Sequence, residues 1–213
     1  MKVKAVVFDL DGTLVNTLAD ISAAMNGALE EMNLPGWEID DYKYLVGNGA
    51  RKLAERAVRE KTELTEAVLD SYQRRYEKHN TDLSAPYEGI PELLRSLKDR
   101  GVRISVLTNK PDADARRVLA FYFPDIVFDS VHGQREGVPV KPDPAGAYEI
   151  SRELGIPADE FFYLGDTAVD MTCAVRAGMR PVGVLWGFRT RKELEESGAE
   201  IIISRPEELL GRL

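Results

Sequence analysis

More than ninety residues separate the first apolar run of this chain, Val3 to Leu10, from the next segment with the β-branched character of a strand, Val102 to Leu107. A crossover between parallel strands needs only a dozen or so residues, and structureless loops of such length are uncommon in compact domains. Something folded must fill the interval. Its patterns are helical: Leu18, Ile21, Met25, Ala28, Leu29 and Met32 share one face, and Val68, Leu69, Tyr72 and Tyr76 share another. The sequence therefore predicts a small all-helical domain over residues 15–84, inserted into a core built from residues 1–14 and 85–213. The Met and Tyr stripes read as helix–helix packing.

Beyond the interval, strand and helix alternate. Strands are expected at Ile126–Val131, Phe161–Leu164, Pro181–Leu185 and Glu200–Ile203. Ile90, Leu93, Leu94 and Leu97 fall at i, i+3, i+4 and i+7 of a helix that Pro91 can start and Gly101 can stop, and Pro144 to Leu154 followed by Gly155 repeats the design. This alternation implies a three-layer, Rossmann-like α/β fold, a parallel sheet with helices on both faces and ligands bound at the carboxyl ends of its strands.

The first strand ends in Asp9-Leu10-Asp11-Gly12-Thr13. Alternation along a strand sends Asp9 and Asp11 to one face, and Gly12 lets the backbone turn beside them. Two carboxylates about 4 Å apart repel by roughly 4 kcal/mol at an effective dielectric near 20, so such a pair shares a proton or binds a cation. Both arrangements suit catalysis, one acid acting as nucleophile and the other as proton shuttle. An Asx turn at a strand end fits the same residues. A calcium loop does not, because Thr13 and Leu14 stand where it requires an acid or amide and a glycine.

Three further sites follow at strand ends or just after them. Thr108 and Asn109 offer a hydroxyl and an amide to phosphate oxygens, and equally fit a helix N-cap. Lys141 lies in a proline-fixed loop, where it can offset negative charge or stay solvated. Asp166 and Asp170 share one side of a helix start, where acids also serve as caps. Together these residue types meet the needs of a magnesium-assisted phosphate site. Asp9, Asp166 and the backbone carbonyl of Asp11 supply hard oxygen ligands, and Asp170 orders a water or binds directly.

The chain resembles the haloacid dehalogenase superfamily phosphatases, in details those that act on phosphoglycolate. The resemblance rests on Asp9-Leu10-Asp11-Gly12-Thr13, on Thr108, on Lys141 and on Gly165-Asp166-Thr167 through Asp170, and it spans nearly the whole chain. It implies a modified Rossmann core, a helical cap inserted after the first motif, Mg2+, and an aspartyl-phosphate formed on Asp9 with Asp11 as acid and base. Thr108, Asn109 and the amides of the turn after Asp9 would cradle the phosphoryl oxygens beside Lys141. In the cap, Val46-Gly47-Asn48-Gly49-Ala50-Arg51 would read the leaving group, Gly49 through a close backbone approach and Arg51 through a substrate carboxylate; the alternative is a helix end with a solvated arginine. A phosphomutase, a pyrophosphatase and a non-catalytic phospholigand sensor are the rival readings.

The bulk numbers narrow the partners. With 213 residues, 44% of them hydrophobic, the chain can build a sizeable core, and a net charge of -8 argues against nucleic acid. Cys173 is the single cysteine, so no disulfide forms within the chain, and its apolar surroundings suit a packed thiol. No stretch is long and apolar enough for a signal peptide or a membrane span, so the expectation is a cytoplasmic protein with a small phosphorylated substrate. The pattern fits a monomer and a homodimer equally. His79 and His132 are expected at the surface or packed, with no role in the chemistry.

Overall fold

A computed structural model describes residues 3–213. The chain begins with β1 (Ala5–Phe8) and leaves the sheet through a two-residue strand, β2 (Val15–Asn16). Four helices follow: α1 (Leu18–Glu31), α2 (Tyr42–Leu45), α3 (Ala50–Ala57) and α4 (Thr65–His79). The chain returns through β3 (Ala85–Pro86), which pairs antiparallel with β2. The departing and returning strands therefore lie side by side. Two-residue strands carry no periodicity, and the sequence pattern does not show them.

The remainder alternates α5 (Ile90–Asp99), β4 (Arg103–Pro111), α6 (Asp112–Tyr122), β5 (Ser130–Gln134), α7 (Ala145–Leu154), β6 (Phe161–Gly165), α8 (Ala168–Ala177), β7 (Arg180–Val184), α9 (Arg191–Glu196) and β8 (Ile201–Ile203). Six strands form one parallel sheet in the order β5-β4-β1-β6-β7-β8. The chain builds outward from β1 to β4 and β5, then crosses back through α7 to place β6 on the other side of β1. That reversal opens a crevice at the carboxyl ends of β1, β4 and β6.

Alternate residues of β1 show the three layers. Val6 and Phe8 pack with Leu93, Leu94 and Leu97 of α5 and Val118 and Leu119 of α6, whereas Ala5 and Val7 pack with Ala147 and Ile150 of α7 and Cys173 and Ala174 of α8. Both faces being buried explains why β1 reads as a continuous apolar run. Helix ends follow local chemistry: Pro91 lies in the first turn of α5, and α7 stops at Gly155, whose φ of +64° is the left-handed conformation that glycine adopts freely. Helices α1 to α4 bury a separate cluster with Met25, Leu29, Tyr42, Leu53, Val68 and Tyr72, joined by Phe188 from the loop after β7.

One strand differs from expectation. Ile126–Val131 was to be a strand, but the ladder beside β4 runs from Ser130 to Gln134. Ile126 and Phe128 only seal the edge of the core, and Val127 is 74% exposed. Cys173 is buried as expected, and burial pushes its thiol up to about 12. His79 is an exposed partner of Asp82, while His132 is buried between Glu149 and Glu153. Among the described residues no helix is long and apolar enough to cross a membrane.

Candidate active site

The strand ends bring four of the expected side chains into one cluster. Lys141, buried in the loop before α7, places Nζ 2.8 Å from Asp9 Oδ1, 2.7 Å from Asp170 Oδ1 and 3.0 Å from the Leu107 carbonyl. An ammonium has three donors, and all three are taken. Asp9 also accepts from the Leu10 amide at 2.7 Å. Asp166, at the end of β6, accepts from the Phe188 amide at 2.8 Å.

Asp170 caps a helix and pairs with Lys141 at once. Its Oδ2 accepts from the Thr167 amide at 3.1 Å and the Thr167 hydroxyl at 2.6 Å, forming the capping box of α8, while its Oδ1 faces Lys141. The helix start thus fixes the carboxylate that fixes the lysine. Gly12 is equally constrained, at φ +86°, because a Cβ there would fall 2.4 Å from Asp166 Oδ2.

Asp9, Asp166 and Asp170 hold carboxylate oxygens within 4.8 Å of one another. Burial pushes Asp9 up to about 7, and the charge of Asp170 adds to the effect against the pull of Lys141. Burial and the charges of Asp170 and Asp9 likewise raise Asp166 well above the usual carboxylate range. Burial alone would lower Lys141, yet Asp170 and Asp9 outweigh it and hold the ammonium above its ordinary pKa. Three carboxylates and one ammonium leave the cluster short of positive charge, and its donors are all hard oxygens. Such a set fits a divalent magnesium ion.

The Asp11 side chain stands outside that cluster. Its Oδ1 accepts from the Thr17 hydroxyl at 2.7 Å and lies 3.0 Å from Lys110 Nζ. The family resemblance includes Thr108-Asn109-Lys110-Pro111, yet no role at the site was expected of Lys110. The signal for it is parity, since Val106, Thr108 and Lys110 alternate along β4. A shift of the β4–β5 register between Leu107 and Pro111, as in a bulge, re-aims this end of the strand and weakens that signal.

Above the acids lies an open cleft of about 690 Å³, roofed by Ile21, Val46, Gly47, Gly49, Leu53, Tyr72 and Tyr76 from the helical segment. Thr108 lines it from below, with Oγ1 accepting from the Lys110 amide at 3.2 Å and its hydroxyl proton still to give. Gly49, at φ +85°, lines it at the start of α3.

Three expectations need correction. Arg51 does not face the cleft: its side chain is 56% exposed and forms a two-pronged pair with Glu66. Position 51 on α3 turns the guanidinium outward, toward a carboxylate of α4. Asn109 is not free for phosphoryl oxygens, because Nδ2 donates to the carbonyls of Gly47 (3.1 Å) and Lys141 (3.0 Å) and Oδ1 accepts from the Lys141 amide (2.8 Å). It ties the loop before α3 to Lys141. The amides of Leu10, Gly12 and Thr13 are engaged within the turn itself, which reduces the expected cradle to the Asp11 amide. Tyr72 and Tyr76, read as packing alone, belong to the buried helical cluster and also form the roof.

A three-layer parallel α/β core with acids, a lysine and a hydroxyl converging at the ends of its strands defines a hydrolase built for phosphoryl groups. Comparison with known proteins agrees. The sequence model of the haloacid dehalogenase-like hydrolases matches residues 6–184. A phosphoglycolate phosphatase of Haemophilus influenzae is 31% identical, with 99% of this chain and 98% of that protein covered. Another from Aquifex aeolicus is 28% identical, over 97% and 95%. The crystal structure of a predicted phosphoglycolate phosphatase from Haemophilus somnus 129PT superposes with a TM-score of 0.92 at 28% identity, covering 100% of this chain and 98% of that one. The chain belongs to the haloacid dehalogenase-like hydrolases, and among them to the phosphatases.

Proposed function

We propose that this enzyme hydrolyses a small phosphomonoester through an aspartyl-phosphate on Asp9, with magnesium, and that 2-phosphoglycolate is its substrate. The observation that carries the chemistry is the buried convergence of Asp9, Lys141, Asp166 and Asp170 beneath a cleft whose wall also holds Asp11. The substrate assignment comes from the similarity to phosphoglycolate phosphatases over almost the full length.

Asp9 and Asp166 would hold the magnesium ion with the Asp11 carbonyl, and Asp170 through a water; when bound, the ion offsets the charge that Lys141 leaves unbalanced. A carboxylate oxygen of Asp9 forms a bond to phosphorus as the ester P–O bond breaks. The electron pair of that bond goes to the leaving oxygen, which takes a proton from Asp11. Asp11 then accepts a proton from water, whose oxygen attacks phosphorus and returns the Asp9 carboxylate. Thr108 donates to a phosphoryl oxygen, and Lys141, its three donors engaged by Asp9, Asp170 and the Leu107 carbonyl, offsets the charge of the transferring group. Helices α1 to α4 act as the cap, excluding water above the cleft and meeting the leaving group.

The test is phosphate release from a panel containing 2-phosphoglycolate, hexose phosphates, nucleotides and pyrophosphate, with magnesium and with chelator. Magnesium-dependent release with the highest kcat/KM on 2-phosphoglycolate is expected. Conversion of β-glucose-1-phosphate to glucose-6-phosphate would instead establish a mutase, and binding without release a sensor.

A further inference from the structure

Lys110 is a buried cation that the chemistry just described does not use. It is 6% exposed, at the end of β4 on the wall of the cleft. Its Nζ donates to the Tyr76 hydroxyl at 2.7 Å and lies 3.0 Å from Asp11 Oδ1. Two of its three donors are accounted for, and among the described residues the third has no protein acceptor. Asp114, the nearest other acid of that wall in the chain, is paired with Arg117 at 3.2 Å. Lys141, the second cation lining the cleft, has no donor left. A buried ammonium with an unused donor is costly unless something completes its shell.

We infer that Lys110 is the specificity-determining residue for the leaving group, its free donor binding a carboxylate carried on the carbon next to the ester oxygen. The inference rests on the proposed phosphatase reading, in which Asp11 protonates that ester oxygen. An ammonium 3.0 Å from the Asp11 carboxylate stands one short step from the leaving oxygen. A carboxylate on the adjacent carbon would come within hydrogen-bond reach there, and one held a methylene further out would be carried past it. The substrate class is thus the O-phosphorylated α-hydroxy acids. Tyr76, stacked with its ring centroid 4.4 Å from Nζ, keeps the ammonium in place from the opposite side of the cleft.

Binding tests this without relying on turnover. Calorimetric titration of Asp9→Asn protein in magnesium would compare 2-phosphoglycolate, 2-hydroxyethyl phosphate and the phosphate ester of 3-hydroxypropionate. Phosphoglycolate is expected to bind roughly ten-fold tighter than either, the size of one charge-assisted hydrogen bond. Adding Lys110→Met should bring the three within about two-fold, chiefly by weakening phosphoglycolate. Lys110→Arg, which keeps the charge, should retain part of the preference should the Met variant fold poorly. An unchanged preference in the Lys110 variants, or none in the Asp9→Asn parent, overturns the assignment. Failure of the proposed chemistry would show separately, as wild-type protein that binds these esters and releases no phosphate.

Discussion

The floor and roof of the cleft are made differently. On the floor, Asp9, Lys141, Asp166 and Asp170 come from two strand ends, a loop and the first turn of a helix, and bonds that cross between elements tie them together. On the roof, Ile21, Leu53, Tyr72 and Tyr76 are helix-face residues whose positions follow from packing in their own cluster. A bonded floor tolerates only exchanges that keep its hydrogen bonds, because removing a partner strands a buried charge. A packed roof tolerates exchange of one apolar group for another of similar size, so recognition can vary above constant chemistry.

The contrast can be broken most severely at Asp9. Asp9→Asn should reduce phosphate release by roughly 10⁴-fold or more, while thermal unfolding shows a protein as stable as wild type. Unfolding of that variant below the wild-type temperature would mean that the floor needs the charge for its fold. Lys141→Met should act on both counts, destabilising the fold by about 3–5 kcal/mol through the unpaired Asp9 and Asp170, as read by denaturant titration. Asn109→Ala removes the tie between cap loop and lysine, and a loss of about 2–3 kcal/mol with a raised KM is expected from its three bonds.

A smaller effect distinguishes the charges of the floor from its bonds. Because the folded pKa of Asp9 lies above its unfolded value, its contribution is fully present below the unfolded pKa and is lost as pH rises through about 7. Metal-free protein should therefore lose stability between pH 6 and pH 8, seen as a fall in Tm, and Asp9→Asn should lose much less. Magnesium should flatten the wild-type dependence. The smallest change belongs to the outer face of the roof: Arg51→Ala should leave both KM and the denaturation midpoint unchanged, since an exposed ion pair contributes little. A ten-fold rise in KM would return Arg51 to the site.

The floor was far more legible in the sequence than the roof. Asp9, Asp11, Asp166 and Asp170 announce themselves because polar residues follow apolar strands, and helix spacing says that Asp166 and Asp170 share a side; strand parity misplaces Asp11, which lies beyond the end of β1 and turns to Thr17 and Lys110 while Asp9 faces Lys141. Asn109 and Lys110 escaped correct reading because their roles depend on partners far off in sequence, Gly47, Lys141 and Tyr76, and on a local shift of strand register. Arg51 was misread because its partner Glu66 lies on another helix, and helical periodicity within α3 carries no information about it. The misplacement of β5 has a similar cause: Ile126 and Phe128 are apolar in order to seal an edge, which composition alone does not separate from a strand.

The pairing of β2 with β3 has a consequence for how such a chain comes to exist. Entry and exit of the helical segment are hydrogen-bonded neighbours, so β1 and everything after β3 meet as though only a short turn lay between them. Closing a loop of about seventy residues rather than about ten costs only ~1.7 kcal/mol more, because closure entropy grows with the logarithm of length. A lineage can therefore replace the whole segment, lengthen it or shorten it at little thermodynamic cost, provided that the two ends still meet at that ribbon.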